Sequence, residues 1–264
     1  MNAAQQNPST PAQRALRPSR RGFLRAGGLA LLAGCGRASP RPTATPARPA
    51  TVAALVAAHA PPSRTEQARA MALYTLVRDR ILFGFAPPFD AASPEETLRH
   101  GLGHCNPQAA LLVALFREAG LRAEQHFVTI SGSILRGVFP APARINHSYV
   151  RVWIGGQPVT LDGYICDPTF FRGARNQLLA SGQPLGLGVH ARGKVAWDGV
   201  SACMSQLADP AMVLADHGPM EPAAFYGSDA HTQRLGPLER FFYRRRIAPS
   251  ANAIIEALRR EGRA

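Results

Sequence analysis

Three residues in this sequence could combine into nucleophilic acyl-transfer chemistry: Cys105, His147 and Asp162. Cys105 stands in "HGLGHCNPQAALLVALFREAG", His100 to Gly120, at the head of an Ala/Leu-rich run. A cysteine at a helix start meets free backbone N–H groups and the positive end of the helix dipole, which favour the thiolate. The thiolate is the attacking species, and its backbone N–H can face the oxyanion of a tetrahedral intermediate. Such a site also needs a base and a group that orients the base. His147 and Asp162 can fill those roles if the chain turns them to one face.

The residues between them predict that it does. "HSYVRVWI" and "QPVTLDGYI" alternate like strands, and Gly155-Gly156 between them signals a hairpin turn. With a two-residue turn, Ile154 opposes Gln157, Tyr149 opposes Asp162 and His147 opposes Tyr164. All of the last four point to one face, because side chains alternate along a strand. Asp162 is then a diagonal neighbour of His147, with about 7–8 Å between the backbones. A carboxylate–imidazole hydrogen bond can span that gap. Asp167 lies past the strand end and is the weaker orienter.

The elements that must position these residues follow from periodicity and caps. "TEQARAMALYTLVRDRILFGF" (Thr65 to Phe85) predicts a helix ending near Gly84. A short helix follows Ser93, whose hydroxyl can cap and whose neighbour Pro94 suits a first turn. For the helix after Cys105, Asn106 can cap, Pro107 fits the first turn, and Gly120 can end it left-handed. "RAEQHFVTI" reads as a further strand. Beyond Phe171 the signal thins to a helix near 174–180 and a final helix over 251–260. Helices first and antiparallel strands afterwards indicate an α+β fold.

His100 and His104 are candidates for a second oxyanion donor by proximity alone. With Cys105 and His126 they would also be the components of a zinc site, but no CxxC pair or HExxH helix supports one. No metal or cofactor is expected, and His126 fits a satisfied strand residue better than a ligand. Asp216-His217 reads as surface loop. The net charge of +13 suggests nucleic acid, yet Arg14, Arg17, Arg20, Arg21 and Arg25 supply five of those charges before residue 35. Lys194 is the only lysine, and the remaining arginines are scattered. "RFFYRRR" (Arg240 to Arg246) reads as a solvated helix face with apolar anchors, so no nucleic-acid partner is expected.

The N-terminus has the organisation of an export signal occupying residues 1–34. "SRRGFLR" resembles the twin-arginine motif, and Leu32-Ala33-Gly34-Cys35 resembles a lipoprotein cleavage box in which Cys35 takes the lipid. The apolar run from Gly27 to Ala33 is shorter than the about 20 residues that span a bilayer. Residues 35–51 form a Pro/Ala/Thr-rich linker, and the folded domain is expected over 52–264. By the sorting rule of such lipoproteins, Gly36 directs the chain to the outer membrane, on the periplasmic side of the envelope.

"VRDRILFGF", "TLRHGLGHCNPQAALLVALFREAGLRAE" and "HSYVRVWIGGQPVTLDGYICDPTF" together resemble the transglutaminase-like superfamily of papain-like thiol enzymes. The resemblance covers about residues 70–171. It implies a nucleophile-bearing helix packed on an antiparallel sheet, with Cys105 as nucleophile, His147 as base and Asp162 as its orienter. Tyr149 matches an aromatic common two residues after the histidine, whereas Gln157-Pro158 replaces a common tryptophan. The implied activity is attack on an amide of a peptide or protein substrate through a thioester. The rival is an inactive scaffold that binds peptide or glycan. In an oxidising compartment a Cys166–Cys203 disulfide is expected, with a Cys105–Cys166 bond as the alternative.

Overall fold

A computed structural model describes residues 51–264 apart from Ala141. The expected export signal, Cys35 and nearly all of the expected linker therefore lie outside the described residues. Thr51 caps the first helix, α1 (Val52–His59). Helix α2 (Glu66–Arg80) stops short of the expected Gly84. The chain leaves the helix because Leu82–Phe83, strand β1, pairs in parallel with Leu102–Gly103, strand β2. Between them, Asp90 lies on the 3₁₀ turn Phe89–Ala91, and α3 (Pro94–His100) follows. Ser93 and Glu96 cap α3 reciprocally, with Pro94 in the first turn.

Helix α4 (Cys105–Glu118) is the centre of the domain. Its residues Leu111, Leu112, Leu115 and Phe116 are fully buried, each worth about 1.5–3 kcal/mol of apolar transfer. They pack with Val150, Val152 and Leu161 of the sheet. That sheet contains β3 (Ala123–Ser131), β4 (Arg144–Ile154) and β5 (Gln157–Asp162). Helix α5 (Pro168–Ala180) and a small hairpin, β6 (Leu185–Gly186) with β7 (Val189–His190), come next. Strand β8 (Val213–Pro219) then returns to β3, completing the antiparallel order β5-β4-β3-β8. Helices α6 (Pro222–Gly227), α7 (Pro237–Phe242) and α8 (Ala248–Glu261) close the chain, with a π-helical turn over Tyr243–Ile247 joining the last two.

The expected hairpin register is the one observed. Gly155 and Gly156 both have positive φ, 57° and 78°, as a two-residue turn of matching twist requires. Ile154 pairs with Gln157 and Tyr149 with Asp162. Helix α5 begins at Pro168, earlier than expected, because the Asp167 carboxylate accepts from Phe170 N at 2.9 Å and caps it. Strand β8 carries Asp216-His217, which were expected in a loop; His217 Nε2 meets Thr129 Oγ1 of β3 at 2.9 Å. Short, half-exposed β8 has little apolar alternation, so its pairing with β3 left no sequence signal.

Candidate active site

Cys105 is the first residue of α4, one position earlier than the expected Asn106 cap, and His104 takes the cap position in an extended conformation. The approach to Cys105 is fixed by backbone bonds: Leu82 N donates to Gly101 O at 3.0 Å and Gly84 N to Gly103 O at 3.1 Å. Buried Gln108, one turn into α4, clamps the helix to both flanking segments. Its Nε2 donates to Ile81 O and Ile165 O, each at 2.8 Å, and its Oε1 accepts from Ile165 N at 3.1 Å. Gly163 permits the close packing of this layer, since a Cβ there would lie 2.2 Å from Ser148 O.

His147 and Asp162 meet inside the protein. His147 Nε2 donates to Asp162 Oδ1 at 2.9 Å, with both residues at most 2% exposed. Tyr164 N also donates to Oδ1 at 3.0 Å. The second oxygen, Oδ2, accepts from Ser205 N at 3.1 Å, Gln206 N at 2.7 Å and Leu207 N at 3.0 Å. Burial works against the Asp162 carboxylate, but the His147 charge and these N–H donors hold it below the usual carboxylate range. Burial likewise works against a charged His147. The neighbouring Cys105 charge and the Asp162 carboxylate outweigh it and push the imidazole up to about 10.

Cys105 and His147 border one small chamber of about 40 Å³, together with Asp90, His104, Tyr164 and Gln206. The Tyr164 hydroxyl is buried without a hydrogen-bond partner and packs close to Gly188. Through Phe85, Phe89, Phe139 and Gln233 the chamber adjoins an apolar cleft of about 610 Å³. Cys105 and His147 thus face the same chamber, with Asp162 bonded behind the imidazole. These residues can present a thiol to a carbonyl, take and return a proton, and hold the imidazole in a single tautomer.

Asp90 builds a second polar cluster against the same chamber. Its Oδ1 accepts from His104 Nε2 at 2.7 Å and Asn106 Nδ2 at 3.0 Å, and its Oδ2 from His231 Nε2 at 3.2 Å. Burial opposes this carboxylate, yet the bonds from His104 and His231 hold it far below its usual range. His104 stacks between Phe85 and Phe89, ring centroids 5.6 and 4.9 Å away. Phe89 adopts a left-handed φ of 55°, a conformation costing a non-glycine residue about 1–2 kcal/mol. The residues around 230–233 are latched beside His147 by Asn146. Its Nδ2 donates to Ala230 O at 3.0 Å, its Oδ1 accepts from Thr232 N at 2.9 Å, and its backbone N–H donates to Gln233 Oε1 at 2.8 Å.

Other expected roles separate. His100 is exposed at the end of α3, away from the chamber lining. His126 is buried between Glu124, at 2.8 Å, and the Tyr149 hydroxyl, at 3.2 Å, as a satisfied strand residue. Asp167 pairs with Arg259 at 2.8 Å and serves the α5–α8 contact, not His147. The Cys166–Cys203 disulfide is not formed: Cys105, Cys166 and Cys203 are all free and buried. Cys166 packs among Phe83, Tyr164 and Phe170, whereas Cys203 belongs to a different core layer, where its Sγ lies 3.4 Å from the Tyr74 hydroxyl. The alternative Cys105–Cys166 bond is likewise absent.

Asp90, Asn146, His231 and the Ser205–Leu207 backbone were not foreseen from sequence. Asp90 and His231 are 141 residues apart, and no local pattern joins them. The 205–207 segment acts through backbone N–H groups, which leave no side-chain signature.

No curated protein matches the chain. Residues 51–163, ending one residue after Asp162, match the family model of the transglutaminase-like superfamily, and the chain carries a transglutaminase-like domain of the α+β class.

Proposed function

We propose that this protein is a cysteine-dependent acyl-transfer enzyme that hydrolyses an amide or peptide bond. The supporting observation is the buried 2.9 Å bond from His147 to Asp162 behind a chamber that Cys105 shares. In the proposed reaction the Cys105 sulfur attacks the substrate carbonyl carbon, and His147 gives its proton to the leaving amine as the C–N bond breaks. A thioester to Cys105 remains. His147 then takes a proton from water, whose oxygen attacks the thioester, and the departing sulfur regains the thiolate–imidazolium pair. Asp162 holds the imidazole orientation and stabilises its positive form throughout.

The Cys105 backbone N–H, in the first helical turn, is one proposed oxyanion donor. The unpartnered hydroxyl of Tyr164, a residue that lines the chamber, is the other. The adjoining apolar cleft suits an apolar side chain on the acyl side of the substrate. Water is the proposed acyl acceptor. Export by the twin-arginine route, lipidation at Cys35 and an outer-membrane position facing the periplasm belong to the same proposal, on the strength of the N-terminal motifs.

The test uses p-nitrophenyl acetate as an activated acyl donor. A burst of p-nitrophenol and one acetyl group on the Cys105 peptide by mass spectrometry are expected, and Cys105→Ala should abolish both. Acetylation distributed over other residues, with no burst, would count against the enzyme and favour a peptide- or glycan-binding scaffold.

A further inference from the structure

The segment from α7 through the π-helical turn presents an apolar and cationic surface that the active-site chemistry does not use. Leu238, Phe241, Phe242 and Ile247 are 68%, 53%, 51% and 45% exposed. These are half of the large hydrophobic side chains that stand exposed among the described residues, and they fall within ten positions. Isolated exposed apolar residues are ordinary, but a contiguous patch marks a binding surface. The segment is anchored from behind: Tyr243 is buried and its hydroxyl donates to Ala86 O at 2.9 Å. Its outward face is therefore held in place by the core.

Arg240, Arg244, Arg245 and Arg246 are interleaved with these residues and exposed. None forms an ion pair with an acid among the described residues. Arg240 and Arg244 reach only backbone carbonyls, and the Arg245 guanidinium lies 5.7 Å from the Phe241 ring centroid. The one acid in the segment, Glu239, is occupied at the helix start, accepting from Gly236 N at 2.7 Å.

We infer that this segment docks the protein onto an anionic lipid surface, with Leu238, Phe241, Phe242 and Ile247 entering the interface and the arginines meeting the headgroups. Aromatic and aliphatic side chains flanked by arginines are the composition of interfacial helices. Arginines near such a surface are drawn by its negative potential, an attraction that salt screens. A second copy of the chain fits less well, since two-fold pairing of the patch would bring the arginines of both copies together. Single-stranded nucleic acid would use the phenylalanines for stacking but gives no role to Leu238 and Ile247. The surface stands independently of any lipid at Cys35. Arg246, Ile247 and Tyr243 also line the apolar cleft beside the Cys105 chamber, so docking would hold the cleft at the membrane.

The test is sedimentation of the full chain with phosphatidylcholine vesicles and with mixed phosphatidylcholine–phosphatidylglycerol vesicles. Two variants accompany it, one with all four arginines replaced by Gln and one with Phe241→Ser and Phe242→Ser. The N-terminal apolar run is common to all three proteins, so differences report the patch. Circular dichroism checks that the folds are alike. The arginine variant is expected to lose about 10-fold or more of its binding to the mixed vesicles, and raised salt should reproduce the loss in the unsubstituted protein. The phenylalanine variant should weaken on both vesicle types. Equal binding by all three proteins would overturn the assignment. So would a dimer that the Phe variant dissolves, or patch-dependent oligonucleotide binding without patch-dependent vesicle binding.

Discussion

His147 bonds Asp162 across β4 and β5 at 2.9 Å, although the residue directly opposite Asp162 is Tyr149. The pair is diagonal, and the two-residue turn at Gly155-Gly156 sets that diagonal. A one-residue slip would turn one member to the opposite face. Asp162→Asn should therefore keep the shape of the site while removing the ionised acceptor for His147. Turnover is expected to fall by about 10⁴-fold, as when a carboxylate that orients a catalytic histidine is lost. Steady-state kinetics on any hydrolysed substrate checks this. An Asn variant within a few-fold of wild type would remove Asp162 from the mechanism.

The same pair links stability to pH. The folded-state pKa of His147 is raised to about 10, so its contribution is complete below about 6.5 and is lost as pH rises through 10. Asp162 is lowered, so its contribution is present above about 3.9 and is lost as pH falls through its folded-state value. Urea midpoints measured from pH 6 to 11 should decline in the wild type and stay flatter in His147→Gln. Parallel declines would show that other groups carry the dependence.

Tyr164→Phe deletes only a hydroxyl that has no partner inside the protein. Stability should be unchanged or slightly raised, because an unsatisfied buried donor is removed. If the hydroxyl donates to the oxyanion, kcat should fall by about 10²-fold or more with KM little changed. A full-rate Phe variant would assign the second donor elsewhere.

A fragment of residues 51–163 covers the whole family match yet should not fold. It loses β8 from the edge of β3 and three backbone donors to Asp162 Oδ2, leaving a buried carboxylate half satisfied. Far-ultraviolet circular dichroism and amide dispersion in NMR spectra provide the check. A well-dispersed spectrum would mean that the C-terminal third is an addition, not a support.

Asn146→Ala should loosen the 230–233 segment beside His147. Hydrogen exchange at the Thr232 amide, now bonded to Asn146 Oδ1 at 2.9 Å, is expected to accelerate while exchange in α4 is unchanged. No change at Thr232 would show that the His231–Asp90 bond and the Asn146 backbone bond to Gln233 hold the segment without the Asn146 side chain.

The hairpin was legible because its register rests on a turn dipeptide and strict alternation, both local properties. Helix α4 was legible from its apolar run, and the cap lies two residues earlier, at His104, with the Asn106 side chain bonded to Asp90 instead. Asp90 itself gave no sequence signal, since its partners His104 and His231 lie on separate segments. Cysteine pairing failed for a related reason: counting thiols in an oxidising compartment ignores layer, and Cys166 and Cys203 sit in different ones. Apart from α8, which was legible over 251–260, the C-terminal third contributes backbone donors, short helices and an edge strand, none of which imposes a long period on the sequence.

The central claim is that Cys105 is activated by His147. It is tested most directly by the rate of Cys105 alkylation with iodoacetamide between pH 5 and 10, in wild type and His147→Ala. At pH 6.5 the wild type should react about 10-fold faster or more than the variant, and the two should converge above the range of an ordinary thiol. Coincident profiles at every pH would contradict an activated thiolate and leave Cys105 as a packed side chain beside an idle histidine.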